Sequence, residues 1–427
     1  MGRKRSLLIV IVSMALFTGS GMAFTWVTNH NRLPQPNIPK PAVLVPFTDP
    51  VFGTSVMRLT NARAGKYPGI IPTYAKRQAW NADESRMLLQ AGDGTEMLFN
   101  GLTYRFLKVL NGVVGDDVLW HPTNPGVIYY VPYSNTLYSY DIASAVSTPL
   151  YTFKGYDWAD TAGEGNLSRD GRYYAAACRI YNYQTRQTEY KNLQVLDMQA
   201  CKVISKLTLP ANLADFDWVS ISPSGNYVVV DYADTTVGRF HGVEVYDRNF
   251  RILWQKPLGY GHSDLGIDGN GDEVLVMGGY DGGANVTYID SLRLRDGHTT
   301  RLLTNMAWWF YNHISCRNQG CPGWCFVSTF DGPGRLTDSS AAWVPFENEV
   351  FALRMDGSGQ VRRIAHHHSR RYSPTTDSDD NSVYWAEPHA TVSNRGNRVL
   401  FGSNWRQGIA DPASCDTCLV DLRGEWY

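Results

Sequence analysis

Net charge of one sign is nearly absent from this chain: 39 Lys and Arg face 40 Asp and Glu, for a formal charge of −1 over 427 residues. A general electrostatic attraction to nucleic acid is thereby excluded as the basis of function. Long apolar runs are scarce too. After the stretch at residues 7–17 no second segment approaches the roughly 20 residues of a membrane span. Also missing are a GxSxG elbow, a P-loop, a dinucleotide fingerprint and HExxH, so nucleotide chemistry and the serine-hydrolase and zincin routes have no motif to stand on. No internal linker divides the chain, which points to one large domain.

What is present is aromatic and turn-rich, with 13 Trp, 25 Tyr and 39 Gly. A turn of the type Ser-x-x-Gly, or a looser variant, recurs ahead of short β-branched and aromatic runs. Clear copies are NLSRDGRYYAAA (Ser168, Gly171), SISPSGNYVVV (Ser222, Gly225), GIDGNGDEVLV (Asp268, Gly271) and TVSNRGNRVLFGS (Ser393, Gly396). Weaker copies are NADESRMLL around Ala82 and HPTNPGVIYY around Pro122, and consecutive copies stand 40 to 54 residues apart. Repeats of this length, each a turn between apolar strands, predict an all-β chain forming a single β-propeller of four-stranded blades. Counting the cores gives seven blades, starting near Gln78, Val118, Glu164, Trp218, His262, His313 and His389. Residues 53–60 read as an outer strand arriving before any complete blade. That strand is expected to complete the sheet begun near His389 and seal the ring.

Residues 1–23 read as a signal peptide, with Arg3-Lys4-Arg5, an apolar core and Gly21-Met22-Ala23 at the cleavage point. The expectation is a secreted or periplasmic protein with no membrane span in the mature chain. Residues 24–52 form a Pro-rich linker or arm, and the propeller occupies 53–427. Seven cysteines suit an oxidising compartment. Bridges are expected between Cys178 and Cys201, between two of Cys316, Cys321 and Cys325, and between Cys415 and Cys418.

The turn pattern resembles the propeller of the periplasmic Tol-system translocation protein, and also oligogalacturonate lyases, which are seven-bladed. Fold alone assigns no function. The turn residue, used as a register mark, identifies what stands four places upstream at the channel mouth: Gln78, Val118, Glu164, Trp218, Asp264 and His389, with His313 matching in the irregular sixth repeat. His262 lies two residues before Asp264. His262, His313 and His389 are thus expected on one rim, as metal ligands or proton carriers, with Asp264 and Glu387 supplying oxygen. The metal would be manganese or zinc, or else calcium, and no nucleotide cofactor is implied.

The lyase resemblance implies a manganese ion held by histidines and a glutamine, and binding the uronate carboxylate. His313, His389 and Gln78 are the matching positions, although the family's paired His-x-His has no counterpart here. His366-His367-His368 is assigned to an inserted loop. A uronate-directed polysaccharide lyase working by β-elimination needs a base, an acid and a carboxylate clamp. Candidates are His313, His389 and Tyr384 for proton transfer, and Arg370, Arg371 and Arg406 for the clamp. Trp308 and Trp405 would offer stacking faces to a polysaccharide or oligosaccharide. The alternative is a non-catalytic propeller binding a protein or glycan of the cell envelope.

Overall fold

The recurring turn is built from a small set of hydrogen bonds. At Ser168, Gly171 N donates to Ser168 O (2.8 Å), Ser168 N to Tyr173 O (3.1 Å) and Tyr173 N to Ser168 Oγ (2.9 Å). Gly171 has φ +75°, the left-handed region where a side chain is strained. Ser222 with Gly225 and Ser393 with Gly396 repeat the backbone pattern, at φ +77° and +74°. Asp268 and Gly271 form a related turn one residue shorter, in which Gly271 N donates to Asp268 O and Asp268 N to Asp272 O.

The weaker copies use other residues. Asn81 N donates to Arg86 O, Glu84 N donates to Asn81 O, and Asn81 Oδ1 accepts from Arg86 N, with Glu84 at φ +60° in the glycine place. In the second copy His121 N donates to Val127 O and its Nδ1 accepts from Thr123 and Asn124 N. The register marks are therefore Asn81 and His121, each one residue before the expected Ala82 and Pro122. Four places upstream stand Arg77 and Asp117, not Gln78 and Val118.

The structure is a computed structural model. It describes residues 25–427 except 211–212, 214–216, 233–239, 258–261, 308, 332–342, 370–383, 406–414, 425 and 427. Every named element among the described residues is a β-strand. Five four-stranded antiparallel sheets follow one another, with first strands at Asp117–Trp120, Trp158–Asp160, Trp218–Ile221, Ser263–Ile267 and Phe310–Ser315. A nine-stranded assembly holds the remaining strands. Its first half runs from Gly69–Ile71 through Arg86–Ala91 and Glu96–Asn100 to Phe106–Val109. Its second half runs from Thr391–Val392 through Arg398–Ser403 to Cys415–Asp421. Ser55–Arg58 then pairs antiparallel with that last strand, Val56 opposite Val420 and Met57 opposite Leu419.

Apolar clusters fill the space between successive sheets. Leu88 of the first sheet shares a cluster with Trp120 of the second, Leu119 with Tyr174 of the third, and Val195 with Val228 of the fourth. Val245 shares one with Leu275, Val276 with Phe351, Phe326 with Val399, and Leu419 with Met87 of the first sheet. Each such side chain contributes about 1.5–3 kcal/mol by burial.

The proline-rich segment is an arm docked on the last two sheets. Buried Arg363 pairs with Glu349 and donates to Asn31 O (2.7 Å), Trp405 Nε1 donates to Ile38 O (3.1 Å), and Lys40 meets Asp416 (2.7 Å). His366 closes the strand Val361–His366, so the expected inserted loop begins after it with His367 and His368, and all three histidines are buried.

No disulfide joins any two cysteines among the described residues, contrary to expectation. Cys415 and Cys418 lie three apart on one strand, so their side chains take opposite faces. Cys178 is buried in the strand Tyr173–Asn182, whereas Cys201 is exposed at a turn. Cys316 and Cys325 both enter the cluster between the fifth and sixth sheets as thiols. Residues 1–23, read as the signal peptide, lie outside the described residues. Among the described residues no helix is long and apolar enough to cross a membrane.

Candidate functional site

The first strand of the first sheet is interrupted. Ile71 pairs with Gln90 and Trp80 with Met87, so residues 72–78 leave the ladder as an excursion and return at Ala79. Three side chains of that excursion organise the site.

Tyr74 reaches the histidines. Its hydroxyl lies 2.5 Å from His262 Nδ1, and its ring centroid is 5.4 Å from that of His313 and 5.3 Å from that of His389. His313 is fully buried, its ring 4.2 Å from His262 and 4.3 Å from His389. Its Nε2 stands 3.3 Å from Glu387 Oε2. Ligand atoms of His262, His313 and Glu387 lie within 4.8 Å of one another. Two imidazoles and a carboxylate at this spacing make a donor set that suits a divalent ion. His389 stands beside this triad, its Nε2 3.2 Å from Tyr384 O and 3.8 Å from Glu387 Oε2. Its φ is +40°, a strained backbone for a residue with a Cβ.

Lys76 is buried, its Nζ 2.5 Å from Glu164 Oε2 and 4.0 Å from the centre of the Trp218 ring. Arg77 pairs with Asp117 (2.7 Å), whose carboxylate also accepts from Thr161 and Tyr174, so the corrected register positions of the first two sheets meet as an ion pair. Asp217, next to Trp218, is pushed up to about 6 by desolvation and then by the Glu164 charge. Burial acts to raise Glu164, but Lys76 and His262 hold it below its ordinary value. The Tyr74 hydroxyl is raised well above its ordinary value by burial, then by Glu164, Tyr384 and Glu387. Two carboxylates pushed apart beside a buried tyrosine and a histidine cluster form the kind of set that proton transfer requires.

The expected residues divide accordingly. His262 and His313 converge, with His389 alongside. The Tyr384 ring centroid is 4.5 Å from that of His389, and its hydroxyl is raised by burial and then by Glu387 and Glu164. Asp264 is engaged elsewhere: its carboxylate accepts from Arg317 Nε (2.9 Å), Arg317 Nη2 (2.7 Å) and Cys316 N (2.6 Å). Gln78 binds backbone, donating to Arg317 O and Val392 O and accepting from Trp80 N. Trp405 is buried under the arm and stacked on His368 at 4.3 Å. Arg370, Arg371, Arg406 and Trp308 lie outside the described residues. Tyr74, Lys76 and Asp217 were not anticipated as site residues. The string PTYAKRQ carries no motif, and only the interruption of an inner strand reveals it.

No protein-family model and no curated protein matches the sequence. Among solved structures the chain is similar to an oligogalacturonate lyase in complex with manganese, with TM-score 0.63 and 15% identity over 89% of this chain and 96% of that one. An oligogalacturonate lyase from Vibrio parahaemolyticus gives TM-score 0.63 and 14% identity over 90% and 97%. At such identities the likeness establishes the fold, which this chain shares with those lyases.

Proposed function

We propose that this protein is a seven-bladed propeller, sealed by the strand Ser55–Arg58, that cleaves uronate-containing oligosaccharides or polysaccharides by β-elimination. The observation that carries this reading is the convergence of His262, His313 and Glu387 beside Tyr74 and the Glu164–Asp217 pair. The manganese-bound lyase of the same fold supports the choice of reaction. The pairing of first and last segments, and the clusters running from each sheet to the next, support the ring. The basic, apolar and small-residue order of residues 3–23 supports export to the periplasm or beyond.

His262, His313 and Glu387 would hold the divalent ion. Bound there, that ion would supply positive charge to the uronate carboxylate and so acidify the adjacent C–H. With its proton on Nδ1, His262 donates to the Tyr74 oxygen and keeps Nε2 free to ligate. Asp217, more basic than an ordinary carboxylate, accepts the proton alpha to the substrate carboxylate. The C–H electron pair forms the new double bond and the bond to the glycosidic oxygen breaks. Tyr74 donates its proton to that leaving oxygen. Arg77 positions the excursion through its pair with Asp117.

Ultraviolet absorbance of unsaturated uronate ends, followed on oligogalacturonides, tests the reading. Wild type should generate absorbance that a chelator and His313→Ala each abolish, and Tyr74→Phe should slow it about 100-fold or more. Absorbance unchanged by chelator and by His313→Ala would contradict the proposed site.

A further inference from the structure

A cavity apart from the histidine cluster opens at the other end of the inner strands, among the recurring turns, with a volume of about 220 Å³. Residues 72–78 reach both places: Tyr74 touches the histidines, and Gln78 lines this cavity. The cavity is partly open to solvent, and its space suits a molecule of about one small ring.

Its lining is rich in donors, and among the described residues no carboxylate lines it. Arg317 is buried, and its Nε and Nη2 are committed to Asp264 and to Leu265 O. Nη1 then has no protein acceptor among the described residues. Arg169 is exposed at the rim and makes no ion pair among the described residues. His121 has a fixed tautomer: Nδ1 accepts N–H groups from Thr123 and Asn124, both at 3.1 Å, so Nε2 carries the proton and donates. Asn394 Oδ1 accepts from Gly320 N (3.1 Å), leaving its Nδ2 as a further donor, and Gln319 adds an amide with no protein partner among the described residues. Trp120 supplies an aromatic wall.

One uncompensated guanidinium, that of Arg169, with the free Nη1 of the Asp264-paired Arg317, a neutral imidazole N–H and two amides, makes a small donor-rich volume that selects an anionic ligand with many acceptor oxygens. We propose that this cavity binds a single hydroxylated monocarboxylate, of the sugar-acid class, independently of the histidine cluster. The proposal does not rest on the lyase reading, because none of these groups belongs to the proposed reaction.

Titration calorimetry on the mature chain, at neutral pH and in the presence of chelator, tests it with three probes. D-galacturonate should bind, whereas D-galactose, which lacks the carboxylate, and acetate, which lacks the ring, should each bind about tenfold or more weakly. Arg169→Ala, at an exposed position, should weaken galacturonate about tenfold, and Gln319→Trp should occlude the cavity and abolish binding. His313→Ala should leave the affinity unchanged. Absence of galacturonate binding would overturn the proposal, as would galactose binding as tightly or binding retained in both cavity variants. A folded His313→Ala protein that loses binding would place the ligand at the histidine cluster and equally overturn it.

Discussion

A buried carboxylate with one weak partner is an ionisation set against the fold, and Glu96 is such a group. It is 1% exposed, Oε1 accepts only from Gln90 Nε2 (2.9 Å), and Oε2 is buried without a hydrogen bond among the described residues. Burial pushes it up to about 7 from an ordinary 4.5, although Gln90 and Arg77 act in the opposite sense. Because the folded value is the higher one, the native state binds the proton more tightly than the unfolded chain does. The associated stability is present below about pH 4.5 and is lost as pH rises through about 7, with an overall size on the order of 3 kcal/mol. Glu96→Gln removes the titration. Thermal unfolding should find it close to wild type at pH 5 and more stable at pH 8; equal stability at both values would refute the assignment. His389 presents strain of another kind, a positive φ held beside the histidine cluster where proton transfer is proposed.

At the scale of elements, the turn shows how one interaction set can be encoded by different residues. Serine, aspartate, asparagine and histidine all cap it, because each offers an acceptor to the following backbone N–H groups. A reader seeking Ser-x-x-Gly therefore locates the third, fourth, fifth and last copies directly and misplaces the first two by one residue. One residue matters, since strand side chains alternate faces. The slip exchanged Arg77 and Asp117, which face each other in an ion pair, for Gln78 and Val118. The same turns yield a graded prediction. Gly225 and Gly271 both have positive φ, but a Cβ at Gly225 would sit 2.5 Å from Tyr173 Cδ2, whereas Gly271 has nothing within 4 Å. Gly271→Ala should cost about 1–2 kcal/mol in urea unfolding, from backbone strain alone. Gly225→Ala should cost more; the reverse order would contradict the turn geometry described.

At the scale of the molecule, the repeat period made the sheet series legible because every unit needs the same turn and the same apolar faces. The disulfides were not legible: a cysteine count cannot report that Cys415 and Cys418 face opposite ways on one strand, or that Cys316 and Cys325 pack as thiols in a core. The histidine rim was legible in part, as His313 and His389 follow from repeat register and His262 stands two residues before the register position Asp264. Asp264, at an equally regular position, is taken by Arg317, a partner that lies 53 residues away in the chain and that spacing could not reveal. Tyr74 escaped because it belongs to an excursion that breaks the repeat. The histidines, Glu387 and that excursion together define the proposed metal centre. Anomalous diffraction at the manganese edge, from crystals equilibrated with the ion, tests it most directly. One peak is expected within ligand distance of His262, His313 and Glu387, absent in His313→Ala crystals. A peak elsewhere, or none at saturating manganese in a protein that still cleaves oligogalacturonides, would contradict it.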